Sequence, residues 1–568
     1  MNEIGETCDV LVIGAGAAGL SAAISARLSG AKVIVAEKAE VFGGTTALSG
    51  GWCWIPLSHH AKAAGVDDSE DEVLTYLRHE VGSALDEAKV RAFLQAGPEM
   101  LELYQNRTIL RFELGTAFPD YHPEAPGAKL GGRALSSPAL DARDLGSLLP
   151  KLAPPLRALM LAGISIGSGT ELRHFFRAKR SPRSALFVLR RLLSHGWDVL
   201  RFGRSMRLVN GNALAARLGK SATDLGAAIW LSSPVTQLLM HQECVVGAIF
   251  LRQGIPCRVQ ARKGVILAMG GFPHNPARRS ALYAHAASEQ EHLPLAPQGN
   301  SGDGLRLALS IGAAVGTGLP QNAAWAPVSQ GHWPSGMPVT YPHFVDRGKP
   351  GIIAVAGPGR RFVNEASPYH DFVAKWIDLR EGNKLPTAWL IADAHAFGRY
   401  GLGLARPFPF PHRHWLRSGY LLCAKTLPEL AAKAELDGTT LAETIRRFNQ
   451  GAAHGHDPDF GRGSSAYNRF QGDIDHRPNP SLAPLDRPPF YAVRIRPGDI
   501  GTFEGILTDA HARVLNDRAQ TIPGLYAAGN DMRSLMGGYY PGAGITLGPA
   551  LVFGFIAGRD AAKRNVTE

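Results

Sequence analysis

Apolar and polar positions alternate along the chain with two different periods. A short apolar run, Val10–Ile13, leads into Gly14, Gly16 and Gly19, then a helix-period run, Leu20–Ser29, then a second strand-like run, Lys32–Glu37. This order predicts one parallel βαβ unit. Glu70–Leu85 and Glu87–Tyr104 space their apolar residues three and four apart and predict amphipathic helices, the second broken at Gly97–Pro98. Val209–Leu218, Ala228–Leu231 and Val245–Phe250 read as a return to the first unit, and Gly264–Phe272 as a buried strand ending in a glycine pair. Gly299–Ala313 is a glycine-rich turn into a helix, with Asp303 placed to cap it. Shorter strands and helices follow from about 321 to 496. Among them are the conspicuous pair Asn364–Glu365 and helix–loop connections at Asp393–Leu402 and Thr426–His454. Thr502–Arg513 and Gly524–Gly529 read as strands, and Leu547–Ala557 as an apolar helix after the turn Pro541–Gly544.

A chain of 568 residues exceeds one core and predicts at least two domains. Apolar content of 45% with 19% charged residues excludes a disordered chain. The net charge of +11 raises nucleic acid as a partner, but no Lys/Arg run interleaved with aromatics supports it. Cys8, Cys53, Cys244, Cys257 and Cys423 form no CxxC pair and no metal-ligand spacing, so reduced thiols, a cytoplasmic location and no metal are expected. The N-terminus carries no signal-peptide pattern, and no apolar run is long enough to span a bilayer.

The glycines of the first unit carry chemistry. Gly14 permits a tight turn, Gly16 lets backbone approach a pyrophosphate, and Gly19 lets the helix pack on the strand, with Ala17 and Ala18 between them. Glu37, followed by Lys38, ends the second strand where an acid meets a ribose 2′-OH. Soon after comes VFGGTTALSGG, with Gly43, Gly44, Thr45, Thr46, Ser49, Gly50 and Gly51. A second such loop exceeds what an NAD site needs, and it resembles the loop with which two-dinucleotide flavoproteins extend their hold on FAD. Covalent flavoproteins of the fumarate reductase kind place a His in this loop. Thr45 and Thr46 stand there instead, so non-covalent FAD is expected, with Cys53 a packed residue. Gly270, Gly271, Asp303, Gly529, Asn530, Gly544, Thr546 and Leu547 complete the expected cofactor-binding set.

Residues 145–207 differ in composition. An apolar stretch, LAPPLRALMLAGISIGSG, precedes ten basic residues set against Glu171 and Asp198. Apolar residues mixed with arginines at helical spacing read either as a peripheral contact with the inner membrane face or as an excursion packed on protein. Both readings stay open.

With these segments in place, the chain resembles the 3-ketosteroid dehydrogenases of the fumarate reductase/succinate dehydrogenase flavoprotein superfamily. The likeness spans nearly the whole length. It rests on the N-terminal glycine motif, FPDY at 118–121, RRFVNEASPY at 360–369, and GLYAAG through YPGAGITLGPA. It implies an α/β fold: a Rossmann-like discontinuous FAD-binding domain, 1–320 with 498–568, and a smaller α+β catalytic domain, 321–497. It also implies site roles. The Tyr540 hydroxyl and the Gly544 N–H hold a ketone oxygen, Tyr369 abstracts a proton, Tyr121 supports it, and Phe118 walls the pocket. Tyr539 is set with Phe118 as a second substrate contact, though mainly a packed ring. The implied reaction is desaturation of a hydrophobic ring ketone, first a 3-ketosteroid at Δ1, alternatively at Δ4 or in a monocyclic ketone. The electron acceptor and the oligomeric state are not legible. A fumarate-type reductase is the nearest rival, since Arg533 lies close to YYPGAG, but a dicarboxylate needs guanidinium forks where this motif has phenols. A flavin module that docks on membranes without turnover is the rival from another class.

Overall fold

A computed structural model describes residues 4–286 and 291–565. Its first sheet is built on the strand Ile4–Ile13, whose Val10, Leu11 and Val12 are fully buried. That strand pairs in parallel with Val33–Ala36 on one side and Ile255–Leu267 on the other. Thr521–Ala527 joins beyond Ile255–Leu267, Ala228–Trp230 joins beyond Val33–Ala36, and Arg513–Leu515 closes the first edge. The register puts Ile13 beside Ala36 and Leu267, and Leu267 beside Ala527, so four parallel strands end in one row. Loops leaving such a row share a crevice.

Ile255–Leu267 begins nine residues before the predicted segment. Its first half alternates in burial and pairs with an antiparallel hairpin, Val235–His241 and Cys244–Arg252. The half from Gly264 lies among parallel strands and is apolar throughout, which is why only that half read as a strand. The strand stops at Leu267, and Gly270 and Gly271 lie in the turn beyond it.

The helix Ala17–Leu28 starts three residues earlier than its apolar pattern, with Gly16 at the N-cap. A Cβ at Gly19 would lie 1.9 Å from the Gly14 carbonyl oxygen, so the helix sits directly on the turn that precedes it. The C-terminal helix, Leu547–Lys563, crosses Ala17–Leu28 just as closely. A Cβ at Gly554 would meet the Ala18 oxygen at 2.3 Å, and one at Gly558 the Ala22 oxygen at 2.2 Å. Ser21 and Ser25 donate across the contact to the Leu551 and Phe555 carbonyls at 2.6 and 2.8 Å.

Three local expectations are corrected. Glu87–Arg107 is one helix straight through Gly97–Pro98, and Gly97 is small because Ile55 packs against it, a Cβ there falling 2.8 Å from Ile55 Cγ2. The helix Asp303–Leu309 is capped by Gly302, in the left-handed region, while Asp303 is its first residue and pairs with Lys38 at 2.7 Å. Thr502–Arg513 is mostly irregular, with strand only at Gly505–Ile506 and from Arg513 on.

The second sheet is antiparallel, in the order Pro338–Pro342, Ala323–His332, Phe490–Thr502, Ala388–Ala392, Ile352–Ala356 and Arg360–Arg361, with Leu421–Ala424 also on the Phe490 strand. Its last strand runs on to Thr502. Asn364–Glu365 is explained here. Arg361 grips Glu365 through two bonds of 2.7 Å and Asp457 at 2.8 Å, and Arg462 reaches Glu365 at 3.0 Å, all buried. These ions hold strand ends and loops together and do not line the cavity that runs along the first sheet. Glu365→Ala leaves two buried guanidiniums short of a counter-charge and is expected to destabilise the fold by about 3–5 kcal/mol. Denaturant unfolding within 1 kcal/mol of wild type, on the order of ordinary surface substitutions, would refute this role.

Segment 145–207 leaves and rejoins the body on one small ladder, Leu140–Asp141 against Arg207–Leu208. Between its ends lie helices Thr170–Arg177 and Pro182–Phe202. Among the described residues no helix is long and apolar enough to cross a membrane.

Candidate active site

One cavity of about 1810 Å³ runs from the strand ends of the first sheet, past the YPGAG turn, to the 145–207 segment. Of the residues singled out for a cofactor, Gly14, Gly16, Ala17, Ala18, Glu37, Lys38, Gly44, Thr45, Thr46, Ser49, Gly50, Gly51, Gly270, Asp303, Gly529, Asn530, Gly544, Thr546 and Leu547 line it. Gly19, Gly43 and Gly271 do not. Gly19 packs on Gly14, Gly43 donates to the Ala15 carbonyl at 2.9 Å, and the Gly271 N–H is held by Asp531 at 3.1 Å.

The lining suits a dinucleotide. A Cβ at Gly16 would find nothing nearer than Thr46 Oγ1 at 4.0 Å, so its bare face looks into open space at a helix N-terminus. Thr46 Oγ1 accepts from the Ala17 N–H at 3.0 Å, and Thr45 Oγ1 accepts from Asn300 at 3.2 Å, which joins the two glycine loops to the 299–303 turn. Glu37 accepts from Ala15 and Ala39 N–H groups at 2.8 and 2.9 Å. Asp531 ties the turn after Leu267 to the turn after Ala527 by accepting from Met269 at 2.6 Å and from Gly271, and its burial raises its pKa to about 6. Cys53 is buried, its pKa raised to about 12, and is a packed residue as expected.

Beyond this cradle stand Tyr121, Tyr369 and Tyr540, all buried and all lining the cavity. Tyr121 stacks on Tyr540 at 5.5 Å between centroids, and Tyr369 meets Tyr540 edge-on at 5.1 Å. Phe118 walls the same space from beside Trp52 and Phe470, and Phe344 packs on Tyr369 at 4.9 Å. Tyr539 is half-buried, turned away from the cavity, and donates its N–H to the Met536 carbonyl at 2.9 Å. Arg533 also lies off the cavity, packed near Gly316.

Burial raises the pKa of all three phenols, so each is neutral at ordinary pH. For Tyr540, hydrogen bonds to Tyr369 and Thr546 work against that rise. The Gly544 N–H donates to no acceptor among the described residues, and Gly544 tolerates no side chain, since a Cβ would lie 2.1 Å from the Trp52 oxygen. Tyr540 and Gly544 line the same cavity.

The tyrosines are held by residues the sequence did not mark. Tyr121 N–H and Tyr76 O–H both donate to the Pro541 carbonyl, at 2.9 and 2.6 Å. Asp120 accepts from Trp54 Nε1 at 2.9 Å and from Arg133 at 2.8 Å, and the Trp54 ring lies under Gly542. His122 is clasped between Glu80 and Asp371, the latter at 2.7 Å, so the Tyr121 loop is tied to the helix of Tyr369. Burial opposes charge on His122, but these two carboxylates raise its pKa to about 10. Arg347, fully buried, has Nη2 without a partner and acts electrostatically on Tyr121 and Tyr467. Only Asp120 had a local signal, inside FPDY. His122 directly follows Tyr121 but shows its role only through distant partners, and Trp54, Tyr76 and Arg347 come from distant segments.

Comparison with known proteins decides the family. The family model described as "FAD binding domain" matches residues 9–547. The chain belongs to this FAD-binding family. It is 41% identical over 98% of its length to a 4-oxocyclohex-2-ene-1-carboxylate 5-dehydrogenase of Sinomonas cyclohexanicum, covering 94% of that protein. It is 37% identical to a 3-oxosteroid 1-dehydrogenase of Mycolicibacterium smegmatis, with 98% of each chain covered. A solved 3-ketosteroid Δ1-dehydrogenase from Sterolibacterium denitrificans, in complex with 1,4-androstadiene-3,17-dione, superimposes with a TM-score of 0.90 at 35% identity, covering 98% of this chain and 99% of the other. This FAD-binding protein is therefore an oxidoreductase like the 3-oxosteroid 1-dehydrogenases, and it dehydrogenates a cyclic ketone.

Proposed function

We propose that the enzyme desaturates a 3-ketosteroid at Δ1, with Tyr540 and Gly544 holding the ketone oxygen and Tyr369 removing the α-proton. The observation that carries this reading is that buried Tyr540 and Gly544, whose N–H has no acceptor among the described residues, line one cavity beside the FAD cradle. An unactivated α C–H is too weak an acid for a protein base. Two donors on the oxygen stabilise the enolate-like state, and losing one costs about 3–4 kcal/mol. FAD, when bound along the glycine loops, supplies the acceptor for the β-hydride. Thr546, Leu547 and the N-terminal turn of the last helix lie against that cradle and favour negative charge there.

Tyr369 acts as base once the hydroxyls turn so that Tyr121 donates to it. Arg347, behind Tyr121 and Tyr467, favours negative charge on that side of the cluster. A monocyclic ketone is the second reading, supported by the 41% identity to the Sinomonas enzyme. The placement of Arg533 off the cavity weighs against a dicarboxylate reductase.

We also propose that residues 145–207 rest on an anionic membrane surface. Leu186, Leu189, Leu193, Trp197 and Leu200 form one exposed stripe at helical spacing, Leu200 being 83% exposed, with arginines alongside.

Three outcomes are expected. Under anaerobic conditions a 3-ketosteroid bleaches the flavin and succinate does not, and Tyr540→Phe keeps its flavin while turnover falls at least about 100-fold; absence of bleaching by every ring ketone tried, or near-normal turnover of the variant, refutes the assignment. The three phenols have raised pKa values, so the rate of flavin reduction should climb as pH rises from about 6 to about 9. A flat profile rules out a tyrosine base. Finally, the protein should float with anionic liposomes and Leu193→Glu/Leu200→Glu should not; equal flotation of both excludes this helix as the contact.

A further inference from the structure

The cavity continues well past the tyrosines, and its far end is basic. From the ketone clamp the walls can be followed by contact. Tyr121 packs against Tyr467, tilted, with centroids 4.8 Å apart, and the Tyr467 hydroxyl accepts from Gln471 Nε2 at 2.6 Å. Carbonyls of Gln471 and Gly472 then accept from Lys349 Nζ at 2.7 and 2.6 Å. Lys349 Nζ lies 5.4 Å over the ring of Phe176, in the first helix of the 145–207 segment. Lys349, Arg406 and Arg173 all line the cavity in this quarter.

Among the described residues none of the three has a carboxylate within ion-pair distance. Arg406 donates to the Ala158 carbonyl at 2.6 Å and distantly to the Tyr341 hydroxyl, over whose ring it lies. Lys349 spends two of its three donors on carbonyls. The acids nearby are taken. Asp473 holds Arg399 and accepts from Tyr400 at 2.6 Å, Asp475 holds Arg177, and Asp346 accepts from His343 at 2.8 Å and from the Gly403 N–H at 3.0 Å. Arg173 is exposed, whereas Lys349 is buried and Arg406 half-buried, which sets these two back from a lipid headgroup at the surface. Keeping such cations dry without a counter-ion is costly unless a ligand brings the negative charge.

We propose that the ring ketone turned over here carries a carboxylate at its end remote from the carbonyl, bound by Lys349, Arg406 and Arg173. This rests on the ring-ketone reading and adds the substrate's charge to it. The neutral end meets phenols, and the charged end meets cations across an apolar passage. The pKa of Lys349 is lowered to about 8 by burial, with Asp473 and Asp346 opposing the fall and Arg399 and Arg173 adding to it.

The test pairs each acid with its methyl ester on two skeletons, a 3-ketosteroid with a carboxylate-ended side chain and 4-oxocyclohexanecarboxylate, by turnover and anaerobic flavin reduction in the holoenzyme. On at least one skeleton the acid should exceed its ester in kcat/KM by about 10-fold or more, mainly through KM, as a charge-assisted hydrogen bond provides. The skeleton that shows it identifies the source of the carboxylate. Lys349→Met should lower kcat/KM for that acid at least about 10-fold more than for its ester. The wild-type acid-to-ester ratio should decline above about pH 8 as Lys349 loses its proton. Arg406→Gln, read the same way, carries the test where Lys349→Met does not fold. Esters equal to or better than acids on both skeletons overturn this inference and leave the ring-ketone reading standing. Equal losses for acid and ester in both variants overturn it too. Flavin reduction by none of the four compounds overturns both readings.

Discussion

The two ends of the chain meet across a contact with almost no side chains in it. Gly554 and Gly558 of the last helix lie on the backbone of Ala18 and Ala22, Gly548 lies on Trp54, and Gly19 lies on Gly14. Each is a place where a single methyl group would collide with a carbonyl oxygen. Close approach brings the last helix's N-terminal turn beside the first helix's N-terminal turn, so both positive ends serve one crevice. Gly544 and Tyr540 are placed as a consequence, a few residues before a helix that has no freedom to slide. The serine bonds across the interface, Ser21 to Leu551 and Ser25 to Phe555, add direction to a contact otherwise made by shape.

The tyrosine cluster depends on that placement and on charges kept just outside it. Inside, burial raises the cost of ionising all three phenols, and Tyr540 raises it further for Tyr121 and Tyr369. Around them, Arg133 holds Asp120, Asp371 and Glu80 hold His122, and Arg347 stands unmatched at one nitrogen. The carboxylates are neutralised by their own partners, which leaves Arg347 as the cation whose field reaches the phenols. A dry, neutral chamber suits a ketone, and a nearby fixed cation suits a proton acceptor that is briefly negative.

Legibility in the sequence followed locality. The βαβ unit, the two glycine loops and the YPGAG turn are each written within a dozen or two residues, and the structure brings nearly all their named members to one cavity. Gly19, Gly43 and Gly271 look the same in sequence as Gly16 and Gly44, because a glycine needed for packing or a backbone bond is spelled like one that faces a ligand. Asp303 read as a cap because acids favour that place, yet the left-handed backbone at Gly302 took the cap and Asp303 took Lys38. Pro98 read as a break, although a helix packed along its length against the core keeps its course through one missing donor. His122 and Asp531 gave no sign at all, since their partners lie tens to hundreds of residues away, and Arg347 bonds nearby carbonyls while the phenols it acts on are distant in the chain.

The 145–207 segment begins and ends on a single two-rung ladder, Leu140–Asp141 beside Arg207–Leu208. A chain that departs and returns at the same point imposes almost nothing on what happens between. Doubling the length of such an excursion costs only about 0.6 kcal/mol in closure entropy. The catalytic chamber below is fixed by backbone contacts that permit no drift, while its roof is pinned at points such as the Phe42–Leu152 bridge and the Arg177–Asp475 pair and can change in length and composition between them. Selection can therefore alter which molecules arrive, and from where, without disturbing the atoms that react with them.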